Sequence, residues 1–321
     1  MSVRFGILST ARINRLLLPA ARESDRVEVV AVASREMGRA EAYAREHGIE
    51  RAYGSYEELL ADPEIDAIYN PLPNSMHVDW SIQALEAGKH VLCEKPLSRH
   101  PADVERAFDA AEQAGRVLTE AFMWRHNPQA ARLKELVDGG AVGEPRVVRA
   151  AFSFTITDDA NIRLAADLDG GALMDVGCYC VSGCRFLAGE PERVFGTGVF
   201  ERGVDTVFAA TMTFAGGVVG QFDCGFRLPA RDELEVVGTE GSIFLDDPWH
   251  ARRPVIEVRR GDEVEEISNE LVDSYRLELE NLADAVEGNG ELLLDRAFSV
   301  SQARTIDALY RSAEQAQAVP L

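Results

Sequence analysis

The chain has 321 residues, with 54 acidic against 33 basic side chains and a net charge of −21. So large an acid excess excludes nucleic acid as a partner and speaks against an anionic membrane surface, since both call for a basic face. The 46% hydrophobic and 27% charged residues are globular values, and the length suits two domains. No apolar run approaches the roughly 20 residues a membrane helix needs, and Met1-Ser2-Val3-Arg4 leads straight into a strand. Five cysteines, odd in number and set in apolar segments, fit reduced thiols, so a cytoplasmic protein is expected. Acid excess with few lysines fits a salt-rich cytoplasm or a GC-rich genome, and the acid excess favours salt.

In chain order, the first part alternates strand and helix. Strands are expected at 3–8, 27–33, 67–69, 90–93 and 117–121, with helices at 15–24, 39–47, 55–60, 75–87 and 101–114. Ser55 with Glu58 three residues on reads as a capping box. Strands separated by helical periods mean parallel βαβ units in a doubly wound Rossmann sheet, at 1–121. Beyond that the rhythm changes. Helices at 128–138 and 171–187 precede strands at 193–201, 207–214, 218–226, 232–238, 242–246 and 255–259, punctuated by hairpin turns. Helices at 275–287 and 297–316 close the chain. This second part, 122–321, reads as an α+β domain on a mostly antiparallel open sheet, its last helices packing back on the first domain.

Four segments carry candidate chemistry. In the first turn, Gly6-Ile7-Leu8-Ser9-Thr10-Ala11-Arg12-Ile13-Asn14, only Gly6 is a glycine. Its small residues permit close approach to a pyrophosphate, although an ordinary β–α turn would look the same. Ser34-Arg35 ends the second strand where NAD sites place an acid, and Arg39 follows. Hydroxyl plus guanidinium suits a 2′-phosphate, so NADP is expected over NAD. Asn70-Pro71-Leu72-Pro73-Asn74-Ser75-Met76-His77 follows the third strand, at the carboxyl end where open sheets bind ligands. Glu94-Lys95-Pro96 follows the fourth, and Lys95 is one of only three lysines. An ammonium at a strand end can shift its pKa or polarise a hydroxyl. In the second part, Asp175 and Tyr179 are four apart within Asp169-Gly170-Gly171-Ala172-Leu173-Met174-Asp175-Val176-Gly177-Cys178-Tyr179 and share a helix face. Among Cys178, Cys180 and Cys184 only the last two share a face, so no metal site is expected. His126 and His250 read as ordinary loop residues.

Together and in this order, these segments resemble the Gfo/Idh/MocA family of oxidoreductases over essentially the whole chain. Glu94-Lys95-Pro96 matches the family hallmark, whose Lys lies at the active site. Asp169 to Tyr179 matches its Gly-Gly-Gly-x-Leu-x-Asp-x-Gly-x-His pattern, with Asp169 for the first Gly and Tyr179 for the His. That Tyr, Ser34-Arg35, the loop ending at His77, Glu120-Ala121-Phe122-Met123-Trp124-Arg125 and the glycine-poor turn are similar to one branch. It contains dimeric dihydrodiol dehydrogenases and NADP-dependent D-xylose dehydrogenases.

The resemblance implies an NADP-dependent dehydrogenase acting on CH–OH groups of a sugar or polyol, with an aldose such as D-xylose expected. Oxidising an alcohol needs a hydride acceptor and a base. Tyr179 is the candidate acid/base, with Lys95 lowering the phenol pKa and Asp175 holding Lys95 or a sugar hydroxyl. A cis peptide is implied before Pro96. Cofactor contacts are expected from Gly6, Ser9, Thr10, Ala11, Arg12, Ile13, Ser34, Arg35, Arg39, Pro71, Leu72, Asn74, His77, Glu94 and Lys95. Substrate contacts are expected from His77, Trp124, Arg125, Phe154, Arg163, Asp175 and Tyr179, with Phe152 nearby. Alternatives are a trans-dihydrodiol dehydrogenase, a sugar-carbonyl reductase resembling 1,5-anhydrofructose reductase, and a non-catalytic NADP sensor, which would have no need of both Lys95 and Tyr179. A homodimer through the open face of the second sheet is expected, because a broad apolar face must be covered.

Overall fold

The computed structural model describes residues 2–321. It divides into two compact units, one running to Met123 and taking in Asp273–Val300, the other Trp124–Val272 with Ser301–Leu321. One boundary was expected, after residue 121, with the last helices packing back on the first domain. The structure returns 273–300 to the first unit.

Strand and helix alternate in the first unit: β1 (Val3–Leu8), α1 (Asn14–Arg22), β2 (Val27–Ala33), α2 (Met37–His47), β3 (Arg51–Tyr53), α3 (Tyr56–Leu60), β4 (Ala67–Asn70), α4 (His77–Glu86), β5 (His90–Glu94), α5 (Pro101–Ala114) and β6 (Leu118–Ala121). All six strands are parallel, in the order β3-β2-β1-β4-β5-β6. The order reverses between β1 and β4, and ligands bind beyond the strand ends at such a reversal. The capping box forms: Ser55 accepts from the Glu58 amide, and Glu58 accepts from the Gly54 amide. A cap of this kind contributes about 1 kcal/mol. The short β3 was not expected, since its three residues are all half-buried and carry no apolar run.

The second unit holds α6 (Pro128–Asp138), β7 (Pro145–Thr155), α7 (Cys178–Ala188), β8 (Pro191–Glu201), β9 (Val204–Phe214), β10 (Val219–Gly225), β11 (Arg227–Gly238), β12 (Ser242–Asp246), β13 (Val255–Arg260), β14 (Glu263–Ser268) and β15 (Val319–Pro320). Its nine strands run in the order β14-β13-β12-β11-β7-β10-β9-β8-β15, with only β7 and β10 parallel. Sequence reading missed β7, which is central. Its alternation breaks after Ala150, because Ala151, Phe152 and Ser153 are all buried. The single helix expected at 171–187 is two pieces, a π-helical turn at Leu173–Gly177 and then α7.

Of the last helices, α8 (Ser274–Glu287) lies in the first unit, and α9 (Arg296–Gln315) begins there and continues into the second. Leu279, Leu282 and Ala283 of α8 join Phe5, Ile7, Leu18, Val32 and Leu92 in one core. Each fully buried Leu there stabilises the unit by about 1.5–3 kcal/mol. Among the described residues, no helix is long and apolar enough to cross a membrane.

Candidate functional site

In the first unit the expected residues collect at the carboxyl ends of the strands. Gly6 lies inside β1, and its role is packing: a Cβ there would meet Leu59 Cδ2 at 2.7 Å. Beyond β1 the chain turns through Ser9, whose φ of 78° is left-handed although it is not a glycine. Buried Asn14 holds that turn by donating its Nδ2 to the Ser9 carbonyl at 3.1 Å. Sequence reasoning saw Asn14 only as a missing glycine. Ala11, Arg12 and Ile13 lead into α1, which receives no side-chain cap. Its first amides, of Asn14, Arg15 and Leu16, donate to the Ala11, Arg12 and Ile13 carbonyls at 3.2, 3.3 and 2.8 Å, and the helix dipole favours an anion at this end.

At the end of β2, Ser34 is buried while Arg35 and Arg39 are exposed. Arg39 Nε donates to Thr10 Oγ1 at 2.8 Å, tying the β1 and β2 turns together. Burial raises the Tyr56 pKa, and the charges of Arg35 and then Arg39 oppose that rise. Thr10, Ser34, Arg35 and Arg39 thus form a cationic, hydroxyl-bearing edge.

The 70–77 loop is fastened internally. Pro71 and Leu72 are buried and Asn74 half-buried. Asn70 Nδ2 donates to the His77 carbonyl at 3.0 Å and to Ser81 Oγ at 3.1 Å. His77, expected at nicotinamide and substrate, is instead fully buried, with Nδ1 2.9 Å from the Pro96 carbonyl and Nε2 2.7 Å from that of Leu72. It joins this loop to the one carrying Lys95. The Lys95-Pro96 peptide is cis. Tyr69 donates its hydroxyl to Glu94 Oε1 at 2.6 Å, and the Leu97 amide donates to Glu120 Oε1 at 2.8 Å. Glu278 of α8 is fully buried, and burial, then the Glu94 charge, push its pKa well above the carboxylate range. Burial there favours its protonated form. Nothing in its helical pattern announces this.

In the second unit Tyr179 is 8% exposed, its ring against Phe152 at 5.4 Å and Trp249 at 5.9 Å. Asp175, in the π-helical turn, accepts from Arg163 Nε at 2.6 Å. Asp175 is thus paired with Arg163, and Tyr179 sits among Phe152 and Trp249. Trp124 is not presented as a sugar platform. Trp124 is 1% exposed, edge-on to Trp249 and Phe186. Arg125 is half-buried with its guanidinium 4.0 Å from the Phe186 ring centre, and partial burial, helped by Arg185, lowers its pKa to about 10. Phe154 packs on Phe226.

His250 is no ordinary loop residue. It packs edge-on to Phe152 and bonds Asp232 through Nδ1 at 2.9 Å. Burial would lower its pKa, but Asp232 and Asp247 outweigh that and raise it. Asp232, Asp247 and His250 offer ligand atoms within 4.8 Å of one another. Arg252 already sets Nη2 2.8 Å from Asp247 Oδ1, so side-chain cations balance the cluster.

Residues 3–122 match an oxidoreductase family described as an NAD-binding Rossmann fold, and 130–244 match the GFO/IDH/MocA C-terminal domain. The chain is 43% identical over 326 residues to the D-xylose 1-dehydrogenase (NADP(+)) 2 of Haloferax volcanii, covering 99% of each. It is 36% identical over 248 residues to the trans-1,2-dihydrobenzene-1,2-diol dehydrogenase of Danio rerio, covering 76% of this chain and 74% of that one. A 3-ketoreductase from Actinomadura kijaniata, solved with NADP and TDP-benzene, superposes with a TM-score of 0.92 at 31% identity, covering 97% and 98%.

Proposed function

The chain belongs to the Gfo/Idh/MocA family of oxidoreductases, and on that premise we propose an NADP-dependent sugar dehydrogenase that oxidises an aldose such as D-xylose at C1. The observation that carries this is the end-to-end likeness to the Haloferax D-xylose dehydrogenase. The chain's own residues suit NADP. The α1 terminus, through its dipole, with Ser9 and Thr10 would hold the pyrophosphate, and Ser34, Arg35 and Arg39 the 2′-phosphate. When bound, the cofactor supplies the hydride acceptor.

Proton exchange is assigned to Tyr179, whose Oη takes the substrate hydroxyl proton, and charge stabilisation of the phenolate to the Lys95 ammonium. Asp175, braced by Arg163, orients a sugar hydroxyl. Solved variants of the Actinomadura reductase alter a lysine and a tyrosine with the same separation along the chain as Lys95 and Tyr179, which supports the pairing. A second reading, oxidation of a trans-dihydrodiol, draws on the aromatic wall of Phe152 and Trp249 around Tyr179.

The open face of the nine-stranded sheet is assigned to a homodimer. Phe195 and Val199 are exposed on β8, while Arg149–Glu235 and Arg259–Glu257 pairs make the other half polar. Five buried free thiols suit a cytoplasmic setting. The test is a panel of D-xylose, other aldoses, a trans-dihydrodiol and, with NADPH, sugar ketones, followed by nicotinamide absorbance. NADP⁺ reduction by D-xylose supports the proposal. Turnover of the diol alone selects the second reading, and tight NADPH binding without turnover of anything would leave a sensor.

A further inference from the structure

We propose that Asp205, on β9, is a positioning residue that anchors the π-helical turn carrying Asp175 and thereby sets Tyr179. This rests on Tyr179 exchanging the proton. The turn at Leu173–Gly177 starts without a cap from its own neighbourhood, since Ala172 precedes it and offers no side-chain acceptor. The first amides of a helix need acceptors, and buried ones need them most. Asp205 supplies them from another strand.

Its Oδ2 accepts the Leu173 amide at 2.6 Å, and its Oδ1 accepts the Tyr310 hydroxyl of α9 at 2.8 Å. The carboxyl is 1% exposed. Burial raises its pKa, and the Leu173 amide, the Tyr310 hydroxyl and the Ala172 amide oppose that rise. A carboxylate kept in such a place is costly unless its oxygens are occupied, and these are. One neighbour is shaped to it. Gly171 has φ of 127°, and a Cβ there would lie 2.3 Å from Asp205 Oδ1 and 3.1 Å from the Tyr310 hydroxyl. Gly171, at the head of the segment, thus leaves the space the anchor occupies.

Leu173 lies six residues before Tyr179, within one continuous helical run. A shift at its amide is passed on to the phenol, and displacements of ~1 Å can cost about a hundredfold in rate.

The test compares Asp205→Ala, Asp205→Asn and Tyr310→Phe in the full chain. In Asp205→Ala, amide exchange by mass spectrometry over residues 172–179 should quicken by about tenfold or more. The kcat on D-xylose should fall by about a hundredfold, while the NADPH dissociation constant, read by fluorescence, stays within a few-fold. Asp205→Asn should restore both, its oxygen taking the Leu173 amide while its Nδ2 donates to the Tyr310 hydroxyl. Tyr310→Phe, which removes one bond, should move exchange the same way by less, and it serves if Asp205→Ala does not fold. Parental exchange over 172–179 in Asp205→Ala overturns the anchor whatever the substrate. An Asn variant as impaired as Ala overturns it too. A parent inactive on D-xylose sinks the functional reading instead, and the exchange data still decide the anchor.

Discussion

The six-stranded sheet hides both of its faces, and the nine-stranded sheet hides one. All four residues of β4 are buried, as are five of six in β1, whereas β9 from Thr206 onward and β12 alternate buried with half-buried or exposed positions. The candidate residues follow the same division. In the first unit main-chain carbonyls hold His77, Asn14 and Asn70, beside the side-chain pairs Arg39–Thr10 and Tyr69–Glu94. In the second they are held by side chains, as in Asp175 with Arg163 and Asp205 with Tyr310. A cofactor edge positioned by backbone can change its tip residues cheaply. A substrate side built from interlocked side chains cannot.

That contrast breaks if side chains matter equally in both. Trp124→Ala, which empties a 1%-exposed site between Trp249 and Phe186, should destabilise by about 3–5 kcal/mol in denaturant titration. A loss under about 1 kcal/mol would deny the interlock. Arg35→Ala should leave stability unchanged but weaken NADPH binding by roughly ten- to hundredfold, the equivalent of a charge-assisted bond of about 1.5–3 kcal/mol. Binding of NADH should barely move, and titrations at low and high salt separate the local contact from screening. Unmutated protein that prefers NADH at both would return Arg35 to solvent.

The smallest effect sharpens the comparison through pH. Buried Glu278 has a folded pKa raised above its ordinary 4.5, by burial first and Glu94 second. The folded state therefore holds its proton longer than the unfolded state. The associated stability is complete below the unfolded value and is lost as pH rises through the folded one. Glu278→Gln, uncharged throughout, should raise Tm at pH 8 relative to the parent and make little difference near pH 4. A lower Tm at pH 8 would mean that Glu278 is ionised and paired.

Much of the first unit was legible because strands buried on both faces are continuous apolar runs, and their ends are where ligands bind. Ser34, Arg35 and the Lys95 loop stand there as read. His77 was misread because a motif gives a residue's place in the chain and not the direction of its ring. Trp124 was misread for a related reason: an aromatic ring suits a sugar and a core equally well. The strand β7 escaped because its inner stretch, Ala151 to Ser153, is buried without alternation. Asp205 and Glu278 carry no local signal, since each acts on a segment distant in sequence.

The most direct test of the account is Tyr179→Phe on the substrate found in the panel, with Lys95→Met beside it. Turnover should fall at least ~100-fold, the scale of a lost general acid/base group, while NADPH affinity stays within a few-fold. Near-parental turnover by either variant would contradict the assignment of proton exchange to Tyr179 and of its charge stabilisation to Lys95.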